Sequence, residues 1–221
     1  MSDPKLTPRR GFLGRVAAGA AALGIGSALP APLAATTSNS SPARDPKLEA
    51  WFGKLKGKHR MVFDSPAPHE GMIAIWPRVY LNTMNETHGE KDGASAMIIL
   101  RHHSLGLAIQ DSMWEKYEFG KVFHVDVNGQ PATRNPFAKI EGLPITGLGI
   151  TELLASGVLV GACDVAMTVY SSGVAKARGL DAAAVRKEWV DALHPGVQLV
   201  PSGVYAVGRA QELGCGYCFA G

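Results

Sequence analysis

An α/β fold with a mainly parallel sheet and helices on both faces is predicted by three features of the sequence. Short β-branched and aliphatic runs alternate with helical stretches of ten or more residues. The interior runs are apolar throughout, as in strands covered on both sides. Each run gives way to a turn or a cap signal rather than to a tight hairpin. Strands alternating with helices imply βαβ units, hence a parallel sheet.

The elements follow in order. His59-Arg60-Met61-Val62-Phe63-Asp64 reads as the first strand, closed by Ser65-Pro66-Ala67-Pro68. Gly71 to Asn85 carries apolar residues at helical spacing, and Pro77 suits a helix start, where its missing N–H costs nothing. Ala96-Met97-Ile98-Ile99-Leu100 is a strand covered on both faces. Leu105 to Tyr117 reads as a helix closed by Gly120, and Val122 to Val127 alternates like a strand. Residues 128–148 form a long Gly/Pro/Asn/Thr-rich connection, a length that often carries function. Thr151 to Ala155 is a short helix, Val158 to Cys163 a buried strand, Asp164 to Lys176 and Ala182 to Leu193 two helices, and Val197 to Val200 the last strand. Ser202 caps a final helix that runs to Leu213 and stops at Gly214.

The first 35 residues do not read as part of this fold. Arg9-Arg10 precedes Phe12-Leu13, a weakly apolar Val16–Leu29 follows, and Pro30-Ala31-Pro32-Leu33-Ala34-Ala35 ends in small residues. A charged start, short apolar middle and small-residue end make a secretory signal, and the paired arginines select the twin-arginine route. Residues 1–35 are therefore expected to be a signal cleaved near Ala35, giving a periplasmic or otherwise exported protein. A basic helix of the mature chain is disfavoured by Gly11, Gly14, Gly19, Gly24 and Gly26, each costing about 1 kcal/mol in a helix interior. A retained anchor is disfavoured because the run is shorter than the roughly 20 residues that span a bilayer.

The whole chain has 22 Lys+Arg and 19 Asp+Glu. Lys5, Arg9, Arg10, Arg15 and Asp3 fall in the signal, so residues 36–221 hold 18 of each sign. A balanced mature chain gives no ground for a nucleic-acid or anionic-membrane partner. The organisation expected is a flexible leader and linker over residues 36–57, one α/β domain over 58–214 and a CxxC tail over 215–221.

Right-handed crossovers set the C-terminal strand ends along one edge, where such sheets place their sites. Cys163 stands there, at the end of a buried strand and just before a helix. The unpaired N–H groups of that helix favour a thiolate, whereas Asp164, the expected cap, opposes it. A plain core cysteine fits the sequence equally well. His102 and His103 follow the second strand, and adjacent residues point to opposite faces, so at most one faces the site. His88 and Glu90 lie before that strand, on the other edge. Arg134 in the long loop could meet an anionic ligand such as a sulfur oxyanion, or stand solvated in an Asn135-Pro136 turn. A metal held by His103, Cys163 and a carboxylate is conceivable but lacks any HxH, HxxxH or HExxH spacing. Trp114 and Tyr117 read as core. No GxGxxG, Walker loop or GxSxG elbow follows a strand, so nucleotide binding and serine hydrolysis lack support, and no cofactor and no metal ligand is assigned.

Cys215-Gly216-Tyr217-Cys218 is a CxxC that follows a helix rather than starting one, so the helix dipole does not activate it. The pair could oxidise to a small disulfide, or the tail could swing to Cys163 and resolve a species formed there. Two thiols alone do not make a structural zinc site.

Several segments resemble exported relatives of the DsrE/DsrF-like sulfur-relay family. They are Ile98-Ile99-Leu100-Arg101-His102 through Trp114-Glu115-Lys116-Tyr117, Arg134-Asn135-Pro136, Val160-Gly161-Ala162-Cys163, and Leu199-Val200-Pro201-Ser202-Gly203-Val204 with Arg209-Ala210-Gln211. The resemblance covers most of residues 58–214 and implies a flavodoxin-like three-layer sandwich that forms homo-oligomers. It also implies that Cys163 carries sulfur as a persulfide, exchanged with small sulfur species or a thiol partner protein. The CxxC tail lies outside the likeness, and known relay members are cytoplasmic whereas this chain carries an export signal. Binding or assembly without catalysis, and metal binding after export, are the other readings the sequence leaves open.

Overall fold

The computed structural model describes residues 45–89 and 93–220. The expected signal, residues 36–44 of the expected leader, and Glu90 lie outside the described residues.

In chain order the elements are α1 (Pro46–Phe52), β1 (His59–Ser65), a 3-10 turn (His69–Ala74), α2 (Trp76–His88) and β2 (Ala94–Leu100). A second 3-10 turn (His102–Ala108), α3 (Asp111–Lys116), α4 (Phe119–Val122), β3 (Asp126–Val127) and β4 (Gln130–Pro131) come next. The remainder is α5 (Ile150–Ala155), β5 (Leu159–Cys163), α6 (Asp164–Arg178), α7 (Ala182–Asp191), β6 (Gln198–Val200), α8 (Gly203–Glu212) and β7 (Gly216–Phe219). Five strands form a parallel sheet in the order β6-β5-β2-β1-β7, while β3 and β4 make a separate antiparallel pair.

The strand order explains the layers. From β1 through β2 and β5 to β6 the chain steps across the sheet in one direction, then returns to place β7 on the far side of β1. A right-handed crossover for that return step must lie on the opposite face from the earlier ones. Thus α8 packs on one face, where Ala206 and Ala210 join Val62, Met97, Ile99 and Val200 in one core. Residues of α5, α6 and α7 pack on the other, where Met167, Val174, Val185 and Trp189 join Phe63, Ile98, Leu100 and Val160. The result is a three-layer α/β sandwich of the flavodoxin-like class.

Four sequence expectations are corrected by packing. Residues 46–52 of the expected leader are helical: Asp45 caps α1 by accepting from Lys47 N at 2.9 Å, and Pro46 occupies its first turn. Leu48, Trp51, Phe52 and Leu55 are buried, and Glu49 pairs with Arg209 of α8 at 2.7 Å. The CxxC segment is no tail either. It forms edge strand β7, paired parallel with β1 through Met61↔Gly216 to Asp64↔Phe219.

The helix expected over 105–117 is a 3-10 turn, an extended Ile109-Gln110 and a short α3. Ile109 bridges Leu193, and Gly106 lies so close to Phe123 that a Cβ there would sit 2.5 Å from the ring. The alternation at Val122–Val127 comes from a turn: His124 takes φ 54° and sends Phe123 and Val125 inward from non-strand backbone. Trp114 and Tyr117 are in the core, 0% and 3% exposed, edge-on to Phe119 and Trp189 respectively.

The long connection is held by Asn135. Its N–H donates to Asp111 Oδ1 at 2.8 Å and its Nδ2 to Leu107 O at 3.0 Å, while its Oδ1 accepts from Phe137 N at 3.1 Å. The same Nδ2 lies 3.5 Å from His194 Nε2. Burial holds the His194 imidazole below its ordinary value, with Asp111 opposing.

Two outcomes follow. Trp51→Ala should cost about 3–5 kcal/mol in urea unfolding, because it empties a large buried site; a flexible leader would show no change. For His194, a folded-state value below the unfolded one, about 6.5, means the unfolded chain binds more protons in that window. Stability from this group is therefore complete above about pH 6.5 and is lost as pH falls through the lowered value. Urea midpoints should drop between pH 7 and pH 5, and His194→Gln should flatten the slope in part, since His103 is held down in the same sense.

Candidate functional site

Two neighbouring strands of the sheet send their following helices to opposite faces: β5 leads into α6 and β6 into α8. Parallel sheets bind ligands in the crevice outside such a point. Cys163 is the last residue of β5, and Ser202 and Gly203 follow β6.

The cysteine itself caps α6. With φ −73° and ψ 116° it is extended, and its Sγ accepts from Ala166 N at 3.4 Å. The expected cap, Asp164, is instead the first helical residue. Its carboxylate pairs with the Arg186 guanidinium, whose Nε also donates to Thr168 Oγ1 at 3.1 Å. The charge expected to oppose an anionic sulfur thus has its own counter-ion on α7.

Cys163 is 6% exposed and lines a cavity of about 310 Å³ with Arg101, His102, Tyr170, Ser202 and Gly203, while Val165, Val169 and Val204 rim it. A larger cavity of about 510 Å³ lies at the other end of the sheet, lined by Trp51, Thr151, Leu159 and His194 among others. It holds no thiol and only one buried titratable group, so the smaller cavity is the chemically equipped one.

Arg101 is the fixed charge of the site. Its Nε and Nη2 donate to Asp64 Oδ1 and Oδ2 at 2.7 and 2.9 Å, a bidentate pair across the ends of β1 and β2. Tyr217 of β7 donates its hydroxyl to Asp64 Oδ2 at 3.1 Å. These bonds to Asp64 push the Arg101 guanidinium up from its ordinary value and keep it charged. Gly203 lets α8 start against this side chain: a Cβ there would lie 2.7 Å from Arg101 Cβ and Cδ. The capped N-termini of α6 and α8 open at the cavity, and Arg101, paired with Asp64, lines it.

His102 turns into the cavity with a φ of 50°, and its Nδ1 is hydrogen-bonded to the Tyr170 hydroxyl. His103 does not line the cavity. Its ring lies tilted by 46° against His102 at 4.0 Å between centroids and meets His124 edge-on at 4.6 Å. Burial first, then the neighbouring charges of His102 and His124, hold His103 below the ordinary histidine value. Among the described residues no group of three or more His, Cys, Asp or Glu is placed to hold a metal ion. The conceivable site on His103, Cys163 and a carboxylate is therefore not assembled.

Other expected site residues lie elsewhere. Arg134 is exposed and does not line the cavity. Cys215 is buried in the core under α1 and α8, and burial pushes its thiol up, with Arg60 opposing. Cys218 packs toward the opposite face, and burial raises its thiol too. One on each side of β7, the two cannot join while the strand is formed. Neither reaches Cys163: β7 is separated from β5 by β1 and β2, about 14 Å at the usual strand spacing. A disulfide needs Cα atoms within about 7 Å. Both roles proposed for the CxxC, an internal disulfide and resolution of Cys163, are corrected on this geometry.

Asp64, Arg101, Tyr170, Ser202 and Tyr217 carry no local motif that marks them as site residues. The available signal was positional, since a carboxylate closing one apolar strand and an arginine directly after the next must share a rim in a parallel sheet.

No family model matches the chain, and no curated protein matches it. Among solved structures it is similar to a protein of unknown function, MTH1491 from Methanobacterium thermoautotrophicum, at 18% identity and a TM-score of 0.41, covering 73% of this chain and 99% of that one.

The fixed charge gives a measurable expectation. With Cys215 and Cys218 replaced by Ser, the Cys163 thiol should react faster with an anionic aromatic disulfide than with a neutral pyridyl disulfide. Arg101→Gln should reduce that preference about fivefold, equal to roughly 1 kcal/mol of screened attraction, and added salt should narrow it in the parent protein. Near-UV circular dichroism establishes that the variant keeps its packing.

Proposed function

We propose that this chain is a DsrE-like sulfur carrier, exported by the twin-arginine route, in which Cys163 takes up sulfur as a persulfide and hands it to a thiol acceptor. One observation carries the reading: the Cys163 sulfur caps α6 at the point where β5 and β6 part their helices, in a cavity that Arg101 also lines.

The chemistry suits an anionic sulfur donor such as thiosulfate. The Cys163 thiolate attacks the outer sulfur, a new S–S bond forms, the old one breaks, and sulfite leaves with the electron pair. The products are a Cys163 persulfide anion and sulfite, and charge is conserved. Arg101 would hold the oxyanion end, and the α6 N–H groups would offset charge on the sulfur. The His102–Tyr170 pair offers a hydrogen-bond partner to the outer persulfide sulfur. Handing on reverses this logic: an incoming thiolate attacks the outer sulfur, and Cys163 leaves as thiolate. Val165, Val169 and Val204, 55%, 61% and 69% exposed, give an acceptor protein an apolar rim to rest on.

Peptide mass spectrometry after incubation with thiosulfate or polysulfide is the test. An adduct of about 32 Da, one added sulfur, is expected on the Cys163 peptide. Cys163→Ser should abolish it, while Cys215→Ser and Cys218→Ser should leave it. An adduct confined to Cys215 or Cys218, or absent altogether, overturns the proposal.

A further inference from the structure

The two edges of the sheet are built differently. Edge strand β6 is three residues long and has Pro195 shortly before it and Pro201 directly after it, features that discourage pairing. Edge strand β7 has no such guard. Gly216-Tyr217-Cys218-Phe219 carries no charge and no proline, and Tyr217 and Phe219 are 47% and 52% exposed.

Its hydrogen bonds alternate. Ala220 N donates inward to Asp64 O at 2.8 Å, so in the parallel ladder residues 216, 218 and 220 bond to β1. The N–H and C=O of Tyr217 and Phe219 therefore point away from the sheet. They have no backbone partner among the described residues.

We propose that β7 is a docking edge for a second copy of this chain, joined antiparallel about a two-fold axis through Cys218, and that a disulfide between the two Cys218 residues locks the pair. The outward groups of a single strand select both the partner and the register. With the axis at Cys218, Tyr217 exchanges N–H···O bonds with the partner's Phe219, and Phe219 does the same with the partner's Tyr217. Every outward group is then used, and the two sheets become one. Each aromatic residue also faces an aromatic residue, a favourable cross-strand pair. An axis through Tyr217 would set Phe219 against the partner's Cys215, whose N–H already goes to Ala210 O at 3.1 Å.

The same register places Cys218 opposite the partner's Cys218 in the non-hydrogen-bonded position. Cα atoms there are about 4.5 Å apart, with both side chains on one face. That separation lies within the span of a disulfide, about 4.4–6.8 Å. Oxidised glutathione or another small disulfide supplies the oxidant. One Cys218 thiolate attacks it, forming a mixed disulfide and releasing one thiolate; the partner's Cys218 then displaces the second thiolate and closes the S–S bond. Two protein thiols are oxidised and one small disulfide is reduced.

The test uses the full chain. Purified protein is incubated with oxidised glutathione or with dithiothreitol, then examined by non-reducing electrophoresis, light scattering and mass spectrometry of the linked peptide. The expected result is a doubling of mass with glutathione, a Cys218–Cys218 peptide, and return to the monomeric band with dithiothreitol. Cys163→Ser and Cys215→Ser should still dimerise covalently, and Cys218→Ser should not. Phe219→Pro removes one outward N–H without touching a bond to β1, and should slow covalent dimer formation at least tenfold with the melting temperature retained. A monomer carrying only glutathione on Cys218, a dimer linked through Cys163 or Cys215, or Phe219→Pro dimerising at the parent rate would each overturn the proposal. None of these results bears on whether Cys163 carries sulfur, so the two readings fail separately.

Discussion

A parallel sheet that grows in one direction and then doubles back must send its final crossover to the other face, because right-handed crossovers allow nothing else. In this chain the return step is β6 to β7, and its helix α8 occupies the face opposite α6. The parting of these helices opens the crevice at the ends of β5 and β6. Cys163, Ser202 and Gly203 face each other there as a consequence of topology. The same step delivers β7 to the far side of β1 and so brings Tyr217 to Asp64. Cavity and electrostatic support therefore have one geometric origin.

Electrostatic support matters because Asp64 is 4% exposed. A carboxylate left alone at that depth would cost several kcal/mol, and the bidentate pair with Arg101 plus the Tyr217 hydroxyl satisfies it. The arrangement also fixes the direction of Arg101. Using Nε and Nη2 for Asp64 leaves Nη1 outside the pair, and Gly203 packs against the aliphatic stem. A guanidinium pinned in this way loses little conformational freedom when an anion binds. The final strand thus contributes to the site although its cysteines stand far from Cys163.

What the sequence reveals here depends on whether a segment's pattern is local. Continuous apolar runs such as Ala96–Leu100 and Val158–Cys163 announce buried strands, and the following helix places Cys163 at a rim. Segments whose structure is imposed by distant partners are opaque. Residues 46–52 have a local start signal in Asp45-Pro46, but a single seven-residue helix does not show where it packs, and burial of Leu48, Trp51 and Phe52 against one face of the sheet makes it part of the core. Cys215–Phe219 carries a motif associated with redox loops, yet pairing with β1 decides its state. At Val122–Val127 the alternating pattern spans a helix end, a turn at His124 and only two strand residues, Asp126 and Val127. Arg134 drew attention by its loop, whereas Arg101 acts because Asp64 lies opposite it across the β1–β2 register, information that no single segment holds.

The separation of the three thiols constrains any chemistry at Cys163. Resolution of a sulfenic or persulfide species within one molecule needs a second thiol that can come within bonding distance, and here the nearest strand bearing one is three positions away in the sheet. Moving Cys218 to Cys163 would unpair β7 from β1, take Tyr217 from Asp64 and loosen the charge that equips the cavity. The intramolecular route thus dismantles the site it would serve. Under the carrier reading we propose, sulfur placed on Cys163 would have to leave to another molecule, approaching over the apolar rim of α6 and α8. That requirement distinguishes a carrier, which keeps its load until an acceptor docks, from a redox protein that closes its own disulfide.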